Sequence, residues 1–323
     1  MRPSHLLDGA RRLAGAAVLA FMPLAAFAQQ SGGTLIMTVQ PEPPSLASYL
    51  STSQPIGQVS TKIYDGLLSY NSETLPEPAL AESWEVSEDG TSITFNLRQG
   101  VTWHDGEPFT SADVQFTFME VLKKFHPRGG NNFSKLIAVD TPDEDTAIFR
   151  LSGPAPYIMR ILSSYESPIV PKHLMEGQDV REYDMANEPI GTGPFKFVEW
   201  RRGQFMRLDR NEDYWKDGLP YLDRIVARFI PDPGTRTAAM ETGEVHLTAY
   251  SHIPNEDLEF LNAMDHLTVT EDGYEMMPAG TFLISDTTEP PPHDVRGRQS
   301  FSCAGDRQLI IASISRFYNK GGL

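Results

Sequence analysis

The sequence has 323 residues, 40% of them hydrophobic, and sets 27 Lys and Arg against 43 Asp and Glu for a formal net charge of -16. A surface this acidic argues against nucleic acid and anionic membranes as partners and weakly favours cationic or zwitterionic ligands. The single cysteine, Cys303, permits no internal disulfide, so an exported fold of this size must rest on a large core.

The first residues have the three regions of an export signal. Arg2, Arg11 and Arg12 are basic, Leu13 to Ala25 is apolar and small, and Ala26-Phe27-Ala28 supplies a cleavage pattern. The apolar run is shorter than the roughly 20 residues that span a bilayer. Residues 1–28 are therefore expected to leave as a signal peptide, with cleavage before Gln29, and no later segment is long and apolar enough for a membrane helix.

Thr34 to Val39 predicts a short apolar strand that runs into the stiff Gln40-Pro41-Glu42-Pro43-Pro44 loop. Trp84 to Val86 and Ser92 to Leu97 alternate about a turn at Glu88-Asp89-Gly90, which predicts a hairpin. Thr110 with Asp113 reads as a capping box, followed by Val114, Phe118, Val121, Leu122 and Phe125 at helical spacing. Lys135 to Val139 and Thr146 to Leu151 form a second strand pair, and Pro156 to Ser163 a short helix. Phe195 to Trp200 and Phe205 to Asp209 predict another hairpin around Arg202-Gly203. Ile225, Ala227 and Phe229 alternate as a strand, and Thr235 to Thr242 is a helix closed by Gly243. Val245 to Ala249 predicts a strand, and Pro254 opens a further helix. Interleaved strands and helices give an α/β or mixed α+β class.

Catalytic chemistry finds little support. There is no G-x-S-x-G elbow and no H-E-x-x-H, and Glu42, Glu166 and Glu188 are acids without a motif. His104-Asp105 falls in a turn. His173, His246, His252 and His266 have spacings that fit no tight metal site. The expectation is a binding protein, not an enzyme, with no cofactor and no metal.

One long stretch carries a resemblance. It runs from Ala79-Leu80-Ala81-Glu82-Ser83-Trp84 through Ser87-Glu88-Asp89-Gly90 and Ile93-Thr94-Phe95-Asn96-Leu97-Arg98. It continues through Gly100-Val101-Thr102-Trp103-His104-Asp105-Gly106-Glu107-Pro108-Phe109-Thr110-Ser111-Ala112-Asp113-Val114. Ile63-Tyr64-Asp65-Gly66-Leu67, Gly191-Thr192-Gly193-Pro194-Phe195, Asn211-Glu212-Asp213-Tyr214-Trp215 and Asp294-Val295-Arg296 extend it. Together they resemble the extracellular solute-binding proteins of family 5, the dipeptide, oligopeptide and nickel-binding subunits of ABC importers. The motif residues turn, cap and pack, with Leu97 and Trp103 facing the core, so they report scaffold geometry and not ligand chemistry.

The resemblance implies a type II periplasmic-binding architecture, two lobes closing on a ligand by a hinge. Residues 29–74 and 166–280 would form the body of the first lobe, 75–165 an inserted subdomain, and 281–323 the start of a second lobe that is mostly missing. Gly297 and Gly305 stand where the family has apolar residues, and each costs a helix roughly 1 kcal/mol against Ala. An interrupted gene and a purposeful single-lobe protein both fit, and the lost apolar face favours the first. The chain as written is then expected to bind ligand weakly or not at all.

The ligand-facing residues the resemblance implies lie in the loop after the first strand, Gln40 and Glu42, and in Ser51, Thr52, Ser53 and Gln54. Tyr64, Tyr165 and Trp200 either stack on a ligand or fill the lobe. Small hydroxyl residues leave backbone groups open to a peptide main chain. The implied function is a periplasmic component that captures peptides, with nickel, metal-chelate or oligosaccharide ligands as the alternative. Its implied partner is an ABC permease, and the folded chain is expected to be a monomer.

Amino-terminal sequencing of secreted protein should begin at Gln29; a product that starts at Met1 would remove the export reading.

Overall fold

A computed structural model describes residues 31–182, 184–250, 252–270, 272, 288 and 293–304. The expected signal segment, Met276, Met277 and Gly305 fall outside these residues.

Strand β1 (Thr34–Thr38) begins the described chain, and helix α1 (Gln54–Ser60) follows the proline-rich loop, with Pro55 at a tolerated early position. Strands β2 (Leu68–Tyr70) and β3 (Pro76–Pro78) pair as a small antiparallel ribbon. Strands β4 (Ala81–Val86) and β5 (Ser92–Leu97) form the expected hairpin, and Gly90 takes the positive φ of 65° that its turn requires. Helix α2 (Ser111–Phe116) starts at Thr110, whose backbone N–H donates to Asp113 Oδ2 at 2.9 Å.

The periodicity predicts one continuous helix here, and the structure departs from it. Residues Thr117–Leu122 form a π-helix before α3 (Lys123–Phe125). The wider turn lets Thr117, Phe118, Val121 and Leu122 all point inward, each fully buried. Thr117 also pairs with the backbone of Val170, accepting its N–H at 3.1 Å and donating to its carbonyl at 3.3 Å. Phe118 meets Phe149 edge-on at 4.7 Å and Phe133 at 5.2 Å, so the π-helix is seated on the adjoining sheet.

After α4 (Gly129–Asn132), β6 (Leu136–Asp143) and β7 (Thr146–Leu151) complete a four-stranded antiparallel sheet in the order β4-β5-β7-β6. Pro156–Arg160 is a 3-10 turn, and Lys172–Met175 is a short helix, α5. The second four-stranded sheet has the order β1-β10-β9-β8, with β8 (Phe195–Arg201), β9 (Phe205–Arg210) and β10 (Arg224–Arg228). β1 lies parallel to β10, which is how the amino-terminal strand joins a hairpin nearly 200 residues away. The fold is mixed α+β, and buried side chains from both sheets belong to one continuous cluster.

Helix α6 (Pro233–Glu241) is capped by Asp232, which accepts the Thr235 N–H at 2.8 Å, and Gly243 closes it at φ 72°. The expected strand at Val245 to Ala249 is a correction. His246 and Leu247 both donate to the Ile36 carbonyl, and Thr38 donates to that of Leu247, which makes a single parallel bridge. The chain then turns at Tyr250, φ 59°, before a second bridge forms. Helix α7 (Asn255–Asn262) follows Pro254, and α8 (Val295–Ala304) accommodates Gly297 with Val295 exposed.

Four of the quoted pieces, scattered along the sequence, converge on one knot: those around Asp65, His104, Thr192 and Trp215. Asp65 accepts from Trp215 Nε1 at 2.8 Å, Thr192 Oγ1 at 3.1 Å and Tyr214 Oη at 3.4 Å. Burial raises its carboxyl, and these hydrogen bonds oppose the rise. The Gly191-Thr192-Gly193 turn lies so close to Ile63 that an added Cβ would sit 1.9 Å from the Ile63 carbonyl oxygen at Gly191 and 2.5 Å at Gly193. His104 closes the knot. Its Nδ1 accepts the Gly191 N–H at 3.3 Å, so its Nε2 carries the proton given to the Gly193 carbonyl at 3.0 Å. Burial holds His104 neutral, pushed down to about 4.

This neutral histidine has a consequence for acid stability. The unfolded chain binds a proton near the ordinary histidine value of about 6.5, and the folded chain does not until about 4. The contribution is whole above about pH 6.5 and is lost as pH falls toward 4, up to about 3 kcal/mol. Asp65, Asp113 and Glu166, raised by burial, act in the opposite sense, so the comparison must be a difference. In urea unfolding from pH 7 to 4, the wild type should lose more stability than His104→Gln; parallel curves would contradict this.

Candidate functional site

The loop after β1 is held down before it reaches any ligand. Val39 is buried, and the Gln40–Pro41 peptide is cis. Glu42 accepts from Trp200 Nε1 and from the Gly203 N–H, both at 2.9 Å, so each carboxylate oxygen is taken by the β8–β9 hairpin. Arg202 lies over the Trp200 ring at 3.4 Å and donates to the Pro44 carbonyl at 3.2 Å. Glu42 and Trp200 therefore fasten the loop, a correction to the reading of Glu42 as ligand-facing. Gln40 is half-buried.

Tyr64 is a second correction. It is fully buried, edge-on to Tyr49 at 6.4 Å, and presents no surface to a ligand. It follows helix α1 inward, into the buried apolar cluster that also holds Leu46, Ile63 and Leu67.

The remaining residues do assemble. Ser51 Oγ accepts the Ser53 N–H at 3.1 Å, Thr52 is exposed, and the Ser53 carbonyl receives the Gly57 N–H at 3.1 Å as α1 begins at Gln54. The Tyr165 ring presses on Gly57 so closely that a Cβ there would lie 2.1 Å from it. Its hydroxyl faces the Thr52 carbonyl at 3.5 Å. A distant aromatic thus clamps the Ser51–Gln54 segment, and Gly57 is the residue that admits it.

Sequence reasoning missed the charged neighbours of Tyr165. Glu166 accepts from Arg128 Nη2 and Asn132 Nδ2, each at 2.7 Å. Its side chain is 14% exposed and that of Arg128 is 48% exposed, so the cation has donors left for an outside partner. Desolvation raises the Glu166 carboxyl, opposed by Arg128 and Asn132. His126, buried beside them, is pushed down to about 4 by burial and by the Arg128 charge. The available signal was the Arg128-Gly129-Gly130-Asn131-Asn132 run, whose Gly129 sits against the Leu122 carbonyl where a Cβ would come within 1.8 Å.

The histidines are separately engaged. His173 Nε2 pairs with Asp105 at 2.8 Å, His246 Nδ1 accepts the Ile36 N–H at 3.2 Å, His252 Nδ1 faces Thr38 Oγ1 at 3.5 Å, and His266 Nε2 faces the Glu241 carbonyl at 3.1 Å. Among the described residues no three His, Cys, Asp or Glu side chains are grouped to hold a metal. No helix among them is long and apolar enough to cross a membrane.

Known proteins share this scaffold. Residues 76–322 match the family model for bacterial extracellular solute-binding proteins, family 5, and the chain belongs to that family. The oligopeptide-binding protein AppA of Bacillus subtilis is 27% identical over 88% of this chain and 52% of its own length. The structure of AppA in complex with a nonapeptide superposes with a TM-score of 0.67, covering 73% of this chain and 47% of AppA. A putative ABC transporter peptide-binding protein of Brucella ovis is 31% identical over 73% of this chain and 44% of its own length. The binding protein DppA of Helicobacter pylori, solved with the peptide STSA, is 30% identical with a TM-score of 0.66, covering 73% of this chain and 50% of DppA. The chain spans about half the length of the curated relatives it matches.

Proposed function

We propose that this protein captures peptides outside the cytoplasm and delivers them to an ABC permease. The observation that carries the reading is the likeness, at 27–31% identity, to relatives described as oligopeptide- and peptide-binding. Residues 75–165 serve as an inserted subdomain between the 29–74 and 166–280 parts of the first lobe, and the signal segment is removed before Gln29.

On this reading the ligand meets Gln40 and the Ser51–Gln54 segment, with Tyr165 beside that segment and Arg128 next along the same wall. The serine and threonine side chains are small, so the peptide main chain can reach backbone donors and acceptors, which gives affinity with little side-chain selectivity. Tyr165 offers an aromatic face held by Gly57, a preorganised contact that orders little on binding. Arg128 offers a cation for a carboxylate, with Glu166 and Asn132 fixing its orientation.

Where the 323-residue chain alone should give weak binding or none, calorimetric titration of a ligand-free version that carries a second lobe should give saturable binding with short peptides. Arg128→Ala and Tyr165→Ala should each weaken it by about tenfold, the equivalent of 1.4 kcal/mol. Heat only with a nickel chelate or an oligosaccharide would overturn the peptide reading.

A further inference from the structure

A second, smaller apolar cluster forms where α6 meets α7 and the segment that bridges to β1. It does not fill the space between these elements. A cleft of about 290 Å³ remains among Met240, Leu258, Leu261, Leu267 and the 247–250 segment, with His252 in its wall. Leu247 and Val269, also in the wall, are 44% and 40% exposed, so the cleft is reached from solvent.

The polar side of the cleft is tied to the wall already described. Thr38 Oγ1 donates to Thr248 Oγ1 at 2.8 Å and faces His252 Nδ1 at 3.5 Å, at the end of β1. His252 also reaches the Gln40 backbone. Burial raises the Tyr165 hydroxyl, Arg128 opposes the rise, and Tyr250 adds to it, so Tyr250 lies within electrostatic reach of the clamp on Ser51–Gln54. The cleft therefore adjoins both Gln40 and Tyr165. Its chemistry is apolar. Burial, then the Arg236 charge, holds the His252 imidazole below its ordinary value, so it is neutral at pH 7. Asp272, the carboxylate of the lining, is exposed. A charged group brought in here would give up its water without a paired partner, whereas an apolar group gains by burial.

Size narrows the occupant. An apolar cavity of roughly 150 Å³ holds a benzene molecule, so this cleft admits a single side chain of leucine to phenylalanine size. We infer that the cleft is an apolar subsite, which takes one such side chain from a ligand whose main chain lies along Gln40 and the Ser51–Gln54 segment. The occupant rests on the peptide reading, and the cleft adds selectivity at one position to a wall that otherwise tolerates any side chain.

Toluene, the phenylalanine side chain without its backbone, probes the cleft without a peptide. Titrated into the 323-residue chain, it should saturably shift the methyl resonance of Met240, in the cleft wall, and leave that of Met206, buried in the main cluster, in place. Ala249→Trp fills the cleft from a half-buried lining position and should abolish the shift. Leu258→Gln makes the wall polar, should weaken the shift likewise, and serves where the tryptophan variant folds poorly. In the version that carries a second lobe, tripeptides of alanine with Leu, Phe or Asp at each position in turn should show an apolar preference at one position only. There Leu or Phe should bind at least about tenfold more tightly than Asp, and Ala249→Trp should erase the preference while trialanine still binds. Absence of toluene binding, a shift that Ala249→Trp leaves unchanged, or peptides bound without an apolar preference overturns the inference. Toluene bound in the cleft with no peptide bound at all would remove the peptide reading and keep the apolar subsite.

Discussion

The close approach of the Gly191-Thr192-Gly193 turn to Ile63 is the constraint on which the rest of the architecture depends. Two glycines allow the turn to press against the Ile63 carbonyl, and the Gly193 N–H then donates to it at 2.8 Å. That contact delivers Thr192 to Asp65 and sets both backbone groups that His104 reads. Asn211 donates to the Gly193 carbonyl at 3.1 Å from the other side, and the Tyr214-Trp215 pair closes over Asp65. Arg98 lies on the Trp215 ring at 4.5 Å and pairs with Glu82, which extends the same knot into the β4–β5 hairpin. The motifs around Asp65, His104, Gly191-Thr192-Gly193 and Asn211 to Trp215 are therefore parts of a single cross-link between segments distant in sequence.

The ligand-facing region inherits its shape from this scaffold. β1 is placed by parallel pairing with β10, the proline-rich loop is pinned through Glu42 to the β8–β9 hairpin, and Tyr165 packs on α1 at Gly57. The π-helix ends just before the segment that carries His126, Arg128 and Asn132, so its register sets where those side chains emerge. Side chains aimed outward are few and small around Ser51 to Gln54, whereas the anchoring groups are large, buried and paired. Such a division suits a binding protein, in which a rigid frame lowers the ordering cost of a contact.

Local chemistry was legible in the sequence and long-range partnership was not. Gly90, Gly203 and Gly243 mark turns that the structure keeps, and the Thr110–Asp113 cap starts α2 where the pattern placed it. Phe118 and Leu122 are fully buried, as helical spacing implied, although the spacing gave no hint that one turn widens into a π-helix. Val245 to Ala249 has strand-like alternation, but only one bridge forms because the chain leaves β1 at Tyr250. Glu42 reads as a free acid until Trp200 and Gly203 arrive from about 160 residues away. Arg128, Asn132 and Glu166 are likewise ordinary polar residues until the fold sets Arg128 and Asn132 each 2.7 Å from the Glu166 carboxylate. Periodicity reports the face a residue turns inward, and it contains no term for which distant face will meet it.

Native-state hydrogen exchange, resolved amide by amide, tests most directly whether the glycine turn holds the scaffold together. The N–H groups of His104, Gly193 and Phe195, which donate to Gly191, Ile63 and Lys62, are the decisive ones. If the knot is the last structure to open, these amides exchange only through global unfolding, with the protection of the buried strands β5 and β7. Exchange through a local opening, while β5 and β7 remain protected, would show that the two sheets stand without the turn and would contradict the account.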